Sequence, residues 1–219
     1  MRFVLATANP AKAREIQAVV AATSLPIDLV TRPADVPPVD EDGETLEDNA
    51  RLKARSVRDA TGEAAIADDT GLEVDALDGA PGVRSARFAG HQAADADNIT
   101  LLLEQLRGVP IECRRARFVT VAVAAFPDGR ELAAIGTVDG TIAAEPRGRG
   151  GFGYDPVFMA DAGDGRTLAE MSSDEKHACS HRGRAFRTLA EGLAILDRAG
   201  HLEPPDPDHG RPGHRSEEG

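Results

Sequence analysis

Residues 64–73 read AAIADDTGLE, and this stretch decides which fold class the sequence favours. The apolar run AAIA predicts a short buried strand that delivers Asp68 and Asp69 to its C-terminal end. Open α/β sheets bind their ligands beyond the carboxyl ends of strands. Adjacent carboxylates suit a hard divalent cation, and one of them could instead accept a proton from water. Taken alone, the stretch is also compatible with a solvated acidic turn.

Strands and helices are predicted to alternate on the N-terminal side of this strand. Residues 2–6 and 27–32 favour two strands, separated by a helix that begins with Asn9 as its N-cap. A second helix is expected from Thr45, which has capping-box spacing to an acidic residue, to Gly62. Alternation of this kind is typical of α/β proteins.

The C-terminal side adds a helix, a hairpin and a final helix. An apolar stripe over 99–106 predicts the first helix, and residues 116–126 and 131–143 predict two antiparallel strands joined by the turn PDG. Spaced apolar residues over 186–196 predict the last helix. The expected fold class is therefore α/β, with a mixed sheet flanked by helices.

The composition restricts the classes of partner. The chain has 219 residues, enough for one large domain or two small ones, and a formal net charge of -12. Such a charge disfavours nucleic acids and anionic membranes, which both require a basic field. It still permits a small polyanionic ligand, because a local cationic cleft or bound Mg²⁺ can hold phosphates.

Compartment and domain limits are predicted from composition as well. Cys113 and Cys179 form neither a CxxC pair nor a dense disulfide framework, so a reducing, cytoplasmic environment is expected. No apolar run approaches membrane-spanning length. After Gly200 the chain is rich in Pro and Gly and has no apolar periodicity. We therefore predict a folded domain over 1–199 and a disordered tail over 200–219.

The first motif, TANPAK at residues 7–12, places a strand end against a helix N-terminus. Free backbone N–H groups and the helix dipole favour an anion there, and Lys12 adds a full positive charge. The glycines of a Walker A loop are missing. A plain strand–turn–helix is the alternative interpretation.

Glycines and aromatic residues are interspersed in a second motif, GRGGFGYD at residues 148–155. The glycines match the spacing of a dinucleotide-binding loop, but such a loop requires a helix after it, and the apolar VFM that follows predicts a strand. The glycines are instead expected to let backbone approach a ligand closely. Phe152 and Tyr154 could stack on a base, or an aromatic side chain could simply anchor a flexible loop.

Three polar donors lie close together in a third motif, SSDEKHACSHRG at residues 172–183. Arg182 could hydrogen-bond a carbonyl or a phosphate oxygen, and His181 could bind either group as well. Side chains of these types on a helix are more often exposed to solvent. Combined with the cationic helix start and the acidic pair, however, they predict a nucleoside phosphate bound with Mg²⁺.

The chain resembles the inosine/xanthosine triphosphate pyrophosphatase family, which removes non-canonical purine nucleotides. The matching stretches occur in the family's order over about residues 1–199, and they are TANPAK, ETLEDNARLKA, AIADDTGLEVDALDGAPGVRSARFAG, GGFGYDPVF and SSDEKHACSHRG. The resemblance implies a homodimer and an elongated α/β fold with two lobes around a central nucleotide-binding cleft. The implied reaction hydrolyses ITP, dITP or XTP to the monophosphate and pyrophosphate with Mg²⁺, which keeps these nucleotides out of DNA and RNA.

The resemblance also assigns roles to individual residues. Asp69 would be the general base and a metal ligand, and Asp40, with Glu41 as its rival, would be the second ligand. Asp68 and Asp69 would both face the cleft, where the metal would offset their repulsion. The substrate-binding residues would be Thr7, Ala8, Asn9, Pro10, Ala11 and Lys12 at the triphosphate and Phe152, Gly153, Tyr154, Asp155, Lys176, His181 and Arg182 around the base. Thr70 would also touch the substrate.

Two positions depart from the family's usual pattern, namely TAN in place of TGN and Thr70 in place of Ser. The first adds a side chain to the turn, and the second keeps the hydroxyl. A pyrophosphatase that prefers pyrimidine nucleotides and a non-catalytic nucleotide sensor are the competing functions. The Ser-His-Arg triplet at 180–182 argues against the first, and the presence of Lys12 and Asp69 argues against the second.

Overall fold

The computed structural model describes residues 1–23 and 25–199. Within these residues, seven strands form a mixed sheet flanked by helices, which confirms the predicted fold class. The strands are β1 (Arg2–Leu5), β2 (Asp28–Thr31), β3 (Ala65–Val74), β4 (Pro81–Gly82), β5 (Arg115–Ala125), β6 (Glu131–Ile142) and β7 (Phe158–Ala160). The helices are α1 (Pro10–Ala21), α2 (Leu46–Thr61), α3 (Asp95–Gln105), α4 (Ser173–Cys179) and α5 (His181–Arg198).

The sheet combines a parallel half with an antiparallel half. Its strand order is β2-β1-β3-β5-β6-β7, and β4 pairs with β3 off this path. β1 runs parallel to both β2 and β3, whereas β3, β5, β6 and β7 pair with one another in antiparallel fashion. The hairpin predicted around the turn PDG is therefore confirmed as β5 and β6.

The strand that carries the acidic pair is longer than the sequence predicts. AAIA predicts a strand that ends before the pair, but β3 continues for 10 residues because it pairs with β5 along its whole length. Asp68 and Asp69 therefore lie inside the strand, and the prediction that they follow its C-terminal end is wrong. The strand that does end near them is β1, whose last residue is Leu5. A cleft can open beyond that point.

Local sequence signals set the helix ends as predicted. The Asn9 side chain accepts hydrogen bonds from two backbone N–H groups of the first turn of α1, which begins at Pro10. At the start of α2, Thr45 and Asp48 form the expected capping box. Gly62 ends α2 with a φ of 68°, a left-handed conformation that glycine adopts without steric cost.

Three apolar clusters build two lobes. The first lies between α1, α5 and one face of the sheet, and the second lies between α2 and the opposite face. Side-chain alternation along β1 produces this division, because Phe3 and Leu5 point to one face and Val4 to the other. The third cluster surrounds α3 and includes Phe118 and Phe158, so it forms a separate lobe around the far ends of the long strands.

Helix α5 packs tightly on β6 at Gly136. A Cβ atom at Gly136 would lie 2.2 Å from the carbonyl oxygen of His181 and 2.3 Å from the backbone nitrogen of Ala185. Both are backbone atoms, so the contact cannot be relieved by a change of rotamer. We expect Gly136→Ala to lower the free energy of unfolding by about 1–3 kcal/mol, measured by urea denaturation.

The matched control for this prediction is Gly192→Ala on α5. There the added Cβ would meet the flexible end of Leu132, with the nearest atom 2.8 Å away, and a side chain can move aside. Alanine also has the higher helix propensity. Equal destabilisation by the two substitutions would contradict the backbone clash as the cause.

Three further sequence predictions concern membrane-spanning segments, the cysteines and the C-terminal tail. Among residues 1–23 and 25–199, none of the helices combines the length and hydrophobicity needed to cross a lipid bilayer. Cys113 and Cys179 are free thiols. The predicted tail over 200–219 lies outside the described residues.

Candidate functional site

Two adjoining cavities open where the lobes meet, beyond the end of β1. One has a volume of about 260 Å³ and the other about 120 Å³, and we call them the large cavity and the small cavity. They share Asn9 and Lys12 from the start of α1, Thr70 from β3, and Ala86. A single elongated ligand can therefore occupy both.

The structure brings most of the predicted site residues to these cavities. Those lining the large cavity are Thr7, Ala8, Asn9, Lys12, Asp69 and Thr70. Those lining the small cavity are Asn9, Lys12, Thr70, Phe152, Gly153, Tyr154, Asp155, Lys176, His181 and Arg182. Of the other described candidates, Glu41 lines the large cavity, whereas Asp40, Pro10 and Ala11 line neither.

Asp69 is held in the large cavity by two polar side chains of α2. Its Oδ1 accepts a hydrogen bond from Lys53 Nζ at 2.9 Å, and its Oδ2 accepts one from Asn49 Nδ2 at 3.3 Å. Lys53 Nζ also donates to Glu41 Oε1 at 3.3 Å. Burial raises the pKa of Asp69, although the charge of Lys53 opposes that shift. The carboxylate is thus a stronger base than an exposed aspartate.

Sequence reasoning missed Asn49 and Lys53 as site residues. Both lie within the matched stretch ETLEDNARLKA, four positions apart, and both are buried on the face of α2 that also carries Ala50 and Ala54. Polar residues at helical spacing beside an apolar stripe are the signal that could have identified them. Such residues must find buried partners, and here the partner is Asp69.

Asp68 points away from Asp69 because successive side chains of a strand lie on opposite faces of the sheet. Its Oδ2 accepts a hydrogen bond from Arg182 Nε at 3.2 Å and lies 3.9 Å from Lys12 Nζ. Burial alone would raise the pKa of Asp68, but Lys12 and Arg182 hold it well below its usual range. Protein cations therefore lie beside both carboxylates, so the two groups do not rely on a metal alone to offset their charge.

The carboxylate oxygens in the large cavity are ligands of the type that Mg²⁺ prefers. Asp69 and Glu41 both contact the ammonium group of Lys53, so the two carboxylates already hold one cation between them. No cluster of three or more His, Cys, Asp or Glu side chains suited to a metal occurs among the described residues. Mg²⁺ does not require one, because it commonly takes one or two protein carboxylates and completes its shell with phosphate oxygens and water.

Phe152 forms one wall of the small cavity and lies against two cations. Lys176 Nζ is 4.8 Å and Arg182 Cζ 5.4 Å from the centre of its ring. Tyr154 plays a different part, since it is 4% exposed and its hydroxyl donates to the Ser85 carbonyl at 2.9 Å. Of the two aromatic candidates, Phe152 is thus the one placed to stack on a base, while Tyr154 anchors the loop.

Three glycines of the 148–155 loop, Gly148, Gly150 and Gly151, approach other protein atoms closely, whereas a Cβ on Gly153 would meet open space. A Cβ on Gly151, whose φ is 74°, would lie 2.0 Å from Asp155 Oδ2. That oxygen accepts hydrogen bonds from the Phe152 backbone N–H at 2.9 Å and from Lys176 Nζ at 2.8 Å. Gly151 therefore lets Asp155 fold back over the loop, so its close contact is with the protein, while close approach to a ligand stays a prediction for Gly153, which lines the small cavity.

Arg182 is one of the most deeply buried side chains of the site, with 1% exposure. Its Nη1 donates to Glu15 Oε2 at 2.5 Å, and its Nη2 donates to Thr70 Oγ1 at 3.1 Å. Glu15, on α1, also lies 3.5 Å from Lys176 Nζ. Sequence reasoning missed Glu15, although a charged residue next to Ile16 on the apolar face of α1 was a usable signal.

His181 is buried beside these cations and is held by one hydrogen bond. Its Nδ1 lies 2.7 Å from Thr120 Oγ1, and its ring packs at 4.5 Å on the ring of Phe118. Burial, assisted by the charges of Arg182 and Lys176, lowers the pKa of His181 well below its usual value. The imidazole is therefore neutral near pH 7. The alternative that His181 and Arg182 are surface residues is wrong, because both side chains, like that of Lys176, are at least nine-tenths buried.

Known proteins have sequences similar to this chain over most of its length. The chain is 47% identical over 190 residues to the dITP/XTP pyrophosphatase of Streptomyces coelicolor, covering 86% of this chain and 94% of that protein. It is 49% identical over 195 residues to the dITP/XTP pyrophosphatase of Frankia alni, covering 87% of this chain and 96% of that protein.

Solved structures have the same fold. A HAM1 protein from Coxiella burnetii superposes with a TM-score of 0.80 at 39% identity, covering 89% of this chain and 99% of that one. The nucleoside-triphosphatase / dITP/XTP pyrophosphatase from Mycobacterium abscessus superposes with a TM-score of 0.69 at 44% identity, covering 88% and 99% of the two chains. The Ham1 family model matches residues 3–192, which include every residue of the two cavities named above. This chain therefore belongs to the Ham1 family.

Proposed function

We propose that this protein hydrolyses non-canonical purine nucleoside triphosphates, namely ITP, dITP and XTP, to the monophosphate and pyrophosphate. The observation that carries the proposal is the pairing of two connected cavities with different chemistry. One contains Asp69 and the cationic start of α1, and the other contains an aromatic wall and buried hydrogen-bond donors. Relatives named dITP/XTP pyrophosphatase at 47% and 49% identity support the same substrate class. Such an activity would remove these nucleotides from the pool before they enter DNA or RNA.

The large cavity would hold the triphosphate. The dipole of α1 and the ammonium of Lys12 favour phosphate oxygens there, whereas the first-turn N–H groups of Ala11 and Lys12 already donate to the Asn9 side chain. Mg²⁺, held by Asp69 and by Glu41 rather than Asp40, would neutralise charge on the phosphates and on the departing pyrophosphate. We favour Glu41 because it lines the cavity and shares Lys53 with Asp69.

Asp69 would act as the general base. Its raised pKa makes it a better proton acceptor, while Lys53 and Asn49 fix the orientation of the carboxylate. The water that loses this proton would attack the α-phosphorus, which breaks the bond to the β-phosphate and releases pyrophosphate intact. Lys12 and the helix N-terminus would stabilise the negative charge that remains on the phosphates.

The small cavity would hold the base. Phe152 can stack on any purine, so it adds affinity without selecting a base. Inosine and xanthosine carry a carbonyl at purine position 6, where adenosine carries an amino group. Lys176 and Arg182 have only donors, so they match the carbonyl and oppose the amino group. Guanosine shares the carbonyl, so its rejection must depend on its 2-amino group.

The products of ITP hydrolysis provide the direct test. With Mg²⁺ present, we expect IMP and pyrophosphate in equal amounts, because attack at the α-phosphorus keeps the other two phosphates together. Chromatography of the nucleotides with an enzymatic pyrophosphate assay distinguishes the possible outcomes. IDP with orthophosphate would refute the proposal, faster turnover of dUTP would favour the pyrimidine alternative, and binding without turnover would favour a sensor.

Assembly and compartment follow from the same proposal. We infer a homodimer on the basis of the family resemblance. We also infer that the protein works in the cytoplasm, because the two cysteines in the described residues are unpaired. Sedimentation velocity at micromolar concentration tests the dimer. A single species at the mass of one chain, 23.0 kDa, would contradict it.

A further inference from the structure

A single buried amide connects the two carboxylates that would hold Mg²⁺. Asn49, on α2, is completely buried and lines neither of the two cavities. Its Nδ2 donates to Asp69 Oδ2 at 3.3 Å, and its Oδ1 accepts a hydrogen bond from the Gly43 backbone N–H at 2.8 Å. Gly43 follows Glu41 by two positions in the loop between β2 and α2. One side chain therefore contacts both Asp69 and the segment that carries Glu41.

The partners of Asn49 fix which end of its amide faces which group. The backbone N–H of Gly43 can only donate, so the atom that faces it must be the amide oxygen. The amide nitrogen then faces Asp69, whose carboxylate accepts from it. A flipped amide would set its NH₂ group against the N–H of Gly43 and its oxygen against the carboxylate, and both contacts would be lost. Only one orientation of Asn49 satisfies both neighbours.

Gly43 lies directly against the first turn of α2. A Cβ atom at Gly43 would lie 2.7 Å from Asn49 Oδ1, 2.7 Å from Asp48 Cβ and 3.0 Å from the Asn49 backbone nitrogen. Arg87 supports the same loop, since its Nη2 donates to the Glu41 carbonyl at 3.0 Å. Two residues of chain span at most about 7 Å, so a loop that is fixed at Gly43 leaves Glu41 little freedom.

Lys53 also contacts both carboxylates, but it does so with a positive charge. Its Nζ lies 2.9 Å from Asp69 Oδ1 and 3.3 Å from Glu41 Oε1, and a divalent cation bound by the same carboxylates would repel it. The amide of Asn49 is neutral, and a carboxylate has further lone pairs besides the one that accepts from Nδ2. The contacts of Asn49 are therefore compatible with a bound metal.

We propose that Asn49 is a positioning residue for the metal, because its amide holds Asp69 and the Glu41 loop in one arrangement before any ligand binds. The inference rests on the proposed function for its metal and its substrate. It implies that the ligand-free protein presents Asp69 and Glu41 as a prepared pair. Groups that orient metal ligands in this way typically contribute about ten- to a hundredfold to metal affinity or activity.

Binding of Mn²⁺ to the ligand-free protein, measured by EPR, tests this role, because Mn²⁺ favours the same oxygen ligands as Mg²⁺. Asn49→Leu has a similar shape but removes both hydrogen bonds, whereas Gly43→Ala keeps the amide and forces the loop away from α2. We expect the Kd for Mn²⁺ to rise about tenfold in each variant. Asp42→Asn changes an exposed carboxylate of the same loop and should leave the Kd unchanged.

The Mg²⁺ dependence of ITP hydrolysis provides a second measurement. In Gly43→Ala, the Mg²⁺ concentration for half-maximal turnover should rise about tenfold, while kcat at saturating Mg²⁺ is largely retained because excess metal draws Glu41 back. A merely structural role would instead lower kcat and leave the Mg²⁺ dependence unchanged, and that result would overturn the proposal.

The Mn²⁺ titration can overturn the proposal by itself. It does so if the unsubstituted protein binds no Mn²⁺, if the Kd is unchanged in the folded variants, or if Asp42→Asn raises the Kd as much as they do. Thermal unfolding of the same samples shows which variants are folded, and Gly43→Ala decides the question where Asn49→Leu does not fold. If the protein does not hydrolyse ITP, the proposed function fails, while the titration still decides the role of Asn49.

Discussion

Replacing Asp69 with Asn is expected to reduce kcat for ITP by about a hundredfold or more. The substitution is nearly isosteric, but an amide cannot accept the proton of the attacking water and is a poor ligand for Mg²⁺. Lys53 keeps Glu41 as an ionic partner in the variant, so the α2 side of the cavity remains partly compensated. The loss should therefore be catalytic rather than structural.

The measurement compares ITP turnover at saturating Mg²⁺ with thermal unfolding of the same samples. Asp42→Asn is the matched control, because Asp42 is an exposed carboxylate of the loop that also carries Glu41. We expect that control to retain turnover and melting temperature. If Asp69→Asn kept most of its activity while folded, Asp69 could not be the general base.

Replacing Arg182 with Ala is expected to destabilise the protein by about 3–5 kcal/mol, the range for removing one partner of a buried ion pair. The substitution deprives two buried carboxylates, Glu15 and Asp68, of their closest cation. Lys176 at 3.5 Å and Lys12 at 3.9 Å would compensate them only in part. Arg182 thus supports the fold as well as lining the small cavity.

Urea unfolding measures this loss, with Arg184→Ala as the control on the same helix. Arg184 is exposed and donates one hydrogen bond to the Thr137 carbonyl, so its removal should cost less than about 1 kcal/mol. Similar stability in the two variants would show that the buried ion pairs of Arg182 contribute little. Base selectivity should then be measured on Arg182→Ala only under conditions where it remains folded.

Several features of this fold follow from short stretches of sequence. The Asn9–Pro10 helix start, the capping box of Thr45 and Asp48, and the left-handed Gly62 all depend on neighbours within a few residues. The hairpin of β5 and β6 is equally local, since its turn and its β-branched residues are contiguous in the chain. These elements were predictable because the residues that stabilise them are close together in the sequence.

The partners of the site residues were not predictable in this way. Arg182 bonds Glu15 across 167 positions and Asp68 across 114, and no local pattern states which carboxylate a buried guanidinium will meet. The same holds for Thr120 and His181, which are 61 positions apart. Only the packing of α5 against α1 and the sheet brings these groups together.

The acidic pair in AAIADDTGLE shows both what the local sequence determines and what depends on contacts between distant parts of the chain. The sequence by itself determined that two carboxylates follow a buried apolar run, and its motifs together determined the family. The tertiary structure decided that the strand continues through the pair, because β5 supplies hydrogen bonds along all 10 residues of β3. It thereby decided that Asp69 faces Lys53 while Asp68 faces Arg182, since alternation within a strand sends neighbours to opposite faces. Strand pairing is non-local, so the length of β3 and the separate environments of its two carboxylates could come only from the folded chain.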